Sequence, residues 1–391
     1  MEINTTHTLI TGDSRNLSLI PDKSVHLIIT SPPYWQLKDY GSDKQIGFHD
    51  SYEDYINNLN MVWSECNRIL HDGCRLCINI GDQFARSVYY GRYKVIPIRT
   101  EIIRFCESLG MDYMGAIIWQ KQTTMNTTGG GAVMGSFPYP RNGILKIDYE
   151  FILIFKKQGK APTPTIDYKK MSEMSKEEWN TYFASHWTFG GAKQDGHIAV
   201  FPEELPHRLI KMFSFAGETV FDPFMGSGTT ALAARNLQRN SLGYEINPDF
   251  VDYYKQKVDN VRLFNNSTCL YKVDSSIINK EEKLNTLPYV FNDPHKMESK
   301  IDVKKLQFGS KIDKDSKERE EYYSVKSVLS PNTVILSNGL TIRLIGIKEK
   351  PSVNGNATRF LTEKTKGRKV FLKYDSVKYD SENTLLCYLY L

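Results

Sequence analysis

Two rhythms of apolar residues run along the first two thirds of the chain. Short apolar runs at residues 7–13, 25–29, 74–80, 113–120, 149–156, 219–221 and 241–245 have the length of buried strands and stop at turn residues. Between them apolar residues recur every three or four positions. Tyr55, Leu59, Val62, Trp63, Cys66 and Leu70 share one helical face, and Ser51-Tyr52-Glu53-Asp54 opens that helix as a capping box. Residues 96–109, 201–210, 231 onward and 248–261 read as further helices. The alternation predicts an α/β fold, a doubly wound Rossmann-like parallel sheet with helices on both faces.

The rhythm changes twice more. Residues 266–322 are lysine-rich and poor in large apolar residues, the composition of a charged linker. From residue 323 short alternating runs resume at 323–325, 333–336, 340–347, 369–374 and 384–391, with turns such as Ser337-Asn338-Gly339 between them. They predict a small β-rich, barrel-like domain over 323–391. Inside the first domain, residues 1–265, the pattern lapses over 121–200. Residues 121–143 carry Thr127-Thr128-Gly129-Gly130-Gly131 and Phe137-Pro138-Tyr139-Pro140-Arg141, too long for a mere connection. Residues 157–199 are polar and basic with Trp179, Tyr182, Trp187 and Phe189 interspersed, either a contact surface or solvated loop charge.

Candidate chemistry sits where strands stop. Thr30-Ser31-Pro32-Pro33-Tyr34-Trp35 follows the run at 25–29. Two prolines end backbone pairing, so the carbonyls of Ser31 and Pro32 are left free at a strand's carboxyl end, where ligands of open α/β sheets bind. A hydroxyl, carbonyl acceptors and an aromatic face suit a flat ring bearing an exocyclic amino group; a plain proline turn is the alternative. Acceptors aimed at the amino hydrogens expose a lone pair otherwise delocalised into the ring. Far downstream, Asp222-Pro223-Phe224-Met225-Gly226-Ser227-Gly228 joins a short strand to a helix, and Glu245 ends the next strand. The glycines let backbone approach a ligand. The Asp222 carboxylate suits a cationic amino group and Glu245 suits ribose hydroxyls, so the set fits S-adenosylmethionine better than a nucleoside triphosphate.

These two motifs, in this order, resemble the amino-methyltransferases of DNA in their β arrangement, the group that makes N4-methylcytosine or N6-methyladenine. The resemblance covers roughly the first two thirds of the chain. It implies that Ser31, Pro32, Pro33 and Tyr34 hold a base swung out of double-stranded DNA. It also implies that Asp222, Pro223, Phe224, Gly226, Gly228 and Glu245 hold S-adenosyl-L-methionine. Asp13, in Gly12-Asp13 at the end of the first strand, is placed near the cofactor's adenine, or else caps a turn. Serine at position 31 points to cytosine N4, with adenine N6 as runner-up. The insert over 121–200 becomes the target-recognition region, and residues 201–210 help close the cofactor pocket. His207 reads as a pocket-lining or surface histidine rather than a general base. A cognate restriction endonuclease is the implied partner. The tail resembles a staphylococcal-nuclease-like, OB-type barrel through Thr341-Ile342-Arg343-Leu344-Ile345-Gly346-Ile347. Lys348, Pro351 and Thr384 stand where its acids and second arginine belong, so a DNA grip or docking module is expected instead of a nuclease.

Composition narrows the classes. The chain has 391 residues and a net charge of +5, compatible with nucleic acid without demanding it. No apolar run spans a bilayer and the first residues carry no signal-peptide pattern, so a cytoplasmic protein is expected. Of the six cysteines, Cys74 and Cys77 have zinc-knuckle spacing but no answering pair, and no metal is expected. No Pro-Cys dipeptide occurs, which argues against C5-cytosine chemistry. The contrasting class is a non-catalytic DNA-binding or scaffold protein.

Overall fold

The apolar runs assemble side by side. The computed structural model describes residues 3–85, 87–92, 94–122, 141, 143–145, 147–191, 201–259, 266–296, 322–337, 340–347, 354–365, 368–373 and 384–390. They fall into two units, residues 1–312 and 313–391. In the first, β1 (Thr5–Thr11) and β2 (Val25–Thr30) precede α1 (Tyr52–Ile69) and β3 (Leu70–Ile80). A small hairpin, β4 (Gln83–Ala85) and β5 (Lys94–Ile96), flanks α2 (Ser87–Tyr90); α3 (Ile98–Ser108) leads to β6 (Met111–Gln122) and β7 (Tyr149–Lys157). Then come α4 (Ile166–Met171), α5 (Lys176–Tyr182), β8 (His186–Gly190), α6 (Glu204–Phe213), β9 (Thr219–Asp222), α7 (Thr229–Asn236) and β10 (Asn240–Glu245). After α8 (Phe250–Tyr254) and one π-helical turn (Lys255–Asp259), β11 (Ser267–Val273) and α9 (Lys280–Asn285) follow.

Among the described residues nine strands form one sheet in the order β11-β1-β10-β9-β2-β3-β7-β6-β8. All neighbours are parallel except β7, which is antiparallel to both β3 and β6. The doubly wound sheet expected from the sequence is therefore present, with one reversed strand. Period-two alternation sorts the central strand between two cores. Ile28 of β2 belongs to one buried cluster with Tyr55, Leu59 and Trp63 of α1 and Ile102 of α3, whereas Leu27 and Ile29 belong to another with Leu205 and Leu209 of α6. Half of the capping box at Ser51 forms: its hydroxyl accepts the Asp54 N–H at 3.1 Å, while the Asp54 carboxylate takes the Ser51 hydroxyl at 2.7 Å.

Of the linker expected over 266–322, residues 266–296 are described and are built into the first unit. β11 extends the sheet beside β1, from Thr5↔Ser267 to Thr11↔Val273. Phe291, only 7% exposed, plugs the core beside Tyr52. Its backbone N–H donates to Asn57 Oδ1 at 2.8 Å and its carbonyl accepts from Asn57 Nδ2 at 3.0 Å. An edge strand needs few apolar residues, and β11 is mostly exposed, so composition hid it.

The second unit contains β12 (Tyr322–Ser330), β13 (Thr333–Leu336), β14 (Thr341–Leu344), α10 (Asn354–Thr365), β15 (Lys369–Lys373) and β16 (Leu385–Tyr390). The strands close into a barrel in the order β12-β13-β14-β16-β15 around Val334, Leu336, Ile342, Leu344, Val370 and Cys387. The alternating strand pattern gives no sign of helix α10, and Lys348 and Pro351 lie outside the described residues. No described helix is long and apolar enough to cross a membrane. Among the described residues no cluster of three or more His, Cys, Asp or Glu is arranged to hold a metal ion.

Candidate functional site

β2 and β9 are neighbours in the middle of the sheet, in register Leu27↔Val220 and Ile28↔Phe221. β2 continues through α1 to β3 on one side, and β9 continues through α7 to β10 on the other. The carboxyl ends of these two strands thus form the topological switch point. The two motifs meet there directly: the buried Thr30 hydroxyl donates to Asp222 Oδ1 at 2.7 Å across 192 positions of sequence.

On the β2 side the prolines stop the ladder and leave an acceptor surface. Neither the Ser31 hydroxyl nor the Pro32 carbonyl takes a hydrogen bond from a described residue, whereas the Pro33 carbonyl accepts from the Tyr55 hydroxyl at 3.0 Å. Tyr34 is held by its tip. Its hydroxyl accepts the Gly81 N–H at 2.8 Å and donates to Glu150 Oε1 at 2.8 Å. Burial, with the Glu150 charge behind it, keeps the Tyr34 phenol well above its ordinary pKa, so it stays a donor.

On the β9 side the two carboxylates differ. Asp222 is 1% exposed. Besides Thr30 it accepts the Phe224 N–H at 2.9 Å and the Thr230 hydroxyl at 2.8 Å. It faces inward and ties the turn together; the expected salt contact with a ligand ammonium does not suit that orientation. Burial pushes its pKa up to about 6 against those hydrogen bonds. Glu245, 8% exposed, reaches the rim. Oε2 accepts the Gly226 N–H at 2.8 Å and Oε1 the Asn247 N–H at 2.9 Å, which leaves each oxygen a further lone pair. Burial, with the Asp222 charge adding to it, pushes it up to about 7, opposed by the Asn247, Gly226 and Ile246 amides.

Gly226 and Gly228 both have positive φ, 53° and 88°. A Cβ on Gly228 would stand 2.6 Å from Tyr254, but one on Gly226 would meet nothing within 4 Å, so the turn is open on the Gly226 side. Pro223 is buried and the Phe224 ring, half-buried, stands edge-on to Trp63 at 6.4 Å. Asp13 caps its own turn: it accepts the Arg15 N–H at 3.0 Å and pairs with the Arg15 guanidinium at 2.5 Å.

The loop after Trp35 straps these parts together. Trp35 donates to the Asp50 carbonyl at 2.9 Å and Gln36 N–H to the Gly47 carbonyl at 3.0 Å, folding the loop on itself. Asn247 Nδ2 then donates to the Tyr40 carbonyl at 2.7 Å, and Arg15 to the Lys44 carbonyl at 3.3 Å. Tyr40 lies close enough to Glu245 that burial and that charge push its phenol up to about 12.

The site roles of Thr30, Tyr55, Asn79, Lys121, Glu150, Thr230 and Asn247 are not evident from the sequence. Glu150 had a signal, a lone acid opening the apolar strand β7; the others look like ordinary polar residues. His207 lies on α6 among Glu203, Glu204, Lys211 and Glu178, and burial lowers its pKa. Asp82 pairs with Arg99 at 3.2 Å, a loop support. The long loop over 121–143 lies almost wholly outside the described residues. Of the region 157–199, α4, α5 and β8 are described, and β8 joins the sheet beside β6.

Comparison with known proteins agrees with this geometry. A family model described as DNA methylase, of the N6/N4 kind, matches residues 25–256. The chain is 35% identical to the Type II methyltransferase M.MjaI of Methanocaldococcus jannaschii, over 66% of this chain and 93% of the relative. It is 31% identical to the Type II methyltransferase M.MthZI of Methanothermobacter thermautotrophicus, over 70% of this chain and 82% of the relative. A Thermus thermophilus protein, provisionally assigned as a DNA modification methylase and solved with S-adenosyl-L-methionine, superposes with a TM-score of 0.57 at 34% identity. That likeness covers 69% of this chain and all of the other.

Proposed function

Since the chain belongs to the DNA methylase family of the N6/N4 kind, we propose that it is a site-specific DNA methyltransferase acting on the N4 amino group of cytosine in duplex DNA. The observation that carries the reading is the Thr30–Asp222 hydrogen bond, which brings the amine-gripping strand end and the glycine turn to one rim. The donor set suits S-adenosyl-L-methionine. Glu245 has lone pairs to spare for ribose hydroxyls, the Gly226 turn is open, and Phe224 offers a half-exposed ring. Asp222 acts indirectly, by fixing the turn. When bound, the cofactor supplies an electrophilic methyl group on its sulfonium.

The chain's own residues do the rest. The Ser31 hydroxyl and Pro32 carbonyl accept the two amino hydrogens and leave the nitrogen lone pair exposed, a preorganised electrostatic contribution. Tyr34 stacks on the extrahelical base, which an enzyme cannot reach inside the duplex. Pro33, its carbonyl already taken by Tyr55, contributes stiffness. The amine proton, acidic once the new N–C bond forms, leaves to water. The two relatives' Type II names support a place in restriction–modification with a cognate endonuclease. Residues 121–200 serve target recognition, and the β12–β16 barrel, outside the matched family region, serves as a DNA grip or docking module.

Mass spectrometry of nucleosides from DNA of an expressing host tests the reading. N4-methylcytosine is expected. N6-methyladenine would move the proposal to the other base, and no modified base at all would favour a non-catalytic DNA-binding protein.

A further inference from the structure

Glu150 is an odd residue for its place. It is 9% exposed, second in a strand whose next five residues are all buried and apolar. Burying a carboxylate is costly unless it is paired, and even a paired one is seldom better for stability than an apolar residue. Here the cost is met by converging donors. Lys121 of β6 forms an ion pair with Glu150 Oε1. Asn79 Nδ2 of β3 donates to Oε2 at 2.7 Å. The remaining donor is the Tyr34 hydroxyl at 2.8 Å, itself anchored from the other side by the Gly81 N–H. Three adjacent strands therefore converge on one carboxylate, and the ring it tethers belongs to the segment that ends β2.

We propose that Glu150 is a positioning residue for methyl transfer: held by Lys121 and Asn79, it fixes the plane of the Tyr34 ring so that an extrahelical base is received at one angle. This rests on the reading of Tyr34 as the base-stacking residue. A ring free to swing about its side-chain bonds would still stack, but would hold the amine in line with the methyl donor less of the time. The loss therefore falls on kcat more than on cofactor binding. Lys121 and the phenol share Oε1, so the ion pair and the tether are held at one oxygen.

The test measures transfer of tritiated methyl from S-adenosylmethionine to unmethylated plasmid DNA by full-length variants. S-adenosylhomocysteine calorimetry and melting serve as checks on folding. Glu150→Ala is expected to lower kcat roughly ten- to a hundredfold, the range of one hydrogen bond to a charged group. The cofactor KM should stay within about twofold, since Glu150 makes no contact on that side. Glu150→Gln, which keeps an acceptor, should recover part of the loss. In a Tyr34→Phe background Glu150→Ala should cost little more, because the partner through which it acts is gone. An undiminished Glu150→Ala cost in that background overturns the proposal. If Glu150→Ala does not fold, Tyr34→Phe alone decides: it keeps the ring and loses the tether, and unchanged kcat rules the proposal out. Full activity of Tyr34→Ala is a different result, and removes the base clamp itself.

Discussion

The bond between Thr30 and Asp222 can be removed with almost no change of shape. Thr30→Val replaces a hydroxyl by a methyl group at a fully buried site, leaving Asp222 with the Phe224 N–H and the Thr230 hydroxyl. A hydrogen bond to a charged group contributes about 1.5–3 kcal/mol, and part of the carboxylate's desolvation would go uncompensated. A loss of roughly 2 kcal/mol lowers the melting temperature by about 4–8 °C for a domain of this size. The effect also has a sign in pH. Asp222 titrates at about 6 in the fold, and the Thr30 hydroxyl favours its ionised form. The destabilisation should therefore be full at pH 8, where the wild-type carboxylate is charged, and should shrink below pH 6, where it is not. Urea unfolding at pH 5 and pH 8 measures both numbers. Equal losses at the two pH values, or a change under about 0.5 kcal/mol at pH 8, would refute the assignment of this bond as the joint between the motifs.

Glu245 gives an opposed pair of trends. Its pKa of about 7 in the fold exceeds the ordinary value of 4.5, so its contribution to stability falls as pH rises from 4.5 to 7. Over pH 6 to 8 its growing charge should strengthen S-adenosylhomocysteine binding, and calorimetry on Glu245→Gln should find that slope flattened. The two glycines should part company. Gly228→Ala adds a collision with Tyr254 to left-handed strain and should cost roughly 3 kcal/mol in a thermal melt. Gly226→Ala should cost only about 1–2 kcal/mol yet weaken cofactor binding, since its methyl group enters the open side of the turn. Ending the chain after residue 265 removes β11 and unplugs Phe291. Circular dichroism should find no cooperative melt there, and recovery of one when the chain runs to residue 296.

Much of the site was legible because its parts are local. Pro32-Pro33 stops a strand wherever it occurs, and glycines around a strand-to-helix turn announce a close approach. Two such stretches imply a shared rim once an alternating α/β pattern is recognised, and β2 and β9 do lie side by side. What the sequence concealed is direction. An aspartate at a strand end reads the same whether it faces a ligand or, like Asp222, its own turn. Asp13 likewise turned to Arg15. Glu150 gains its meaning only from strands β3 and β6 on either side of β7. The reversal of β7 and the edge position of β11 depend on pairing partners far away in the chain, which period and composition do not encode.

The strand order also sets a timetable. β1 and β2 are made first, yet they never touch; β10 and β9, which fill the space between them, come from residues 219–245. A nascent chain emerging from the ribosome therefore carries two unpaired inner edges until more than half of it has been synthesised. Contacts of such long sequence separation are slow to form and leave sticky edges exposed meanwhile. Yield of soluble protein should thus depend on chaperone supply and growth temperature more than the stability of the finished sheet would suggest.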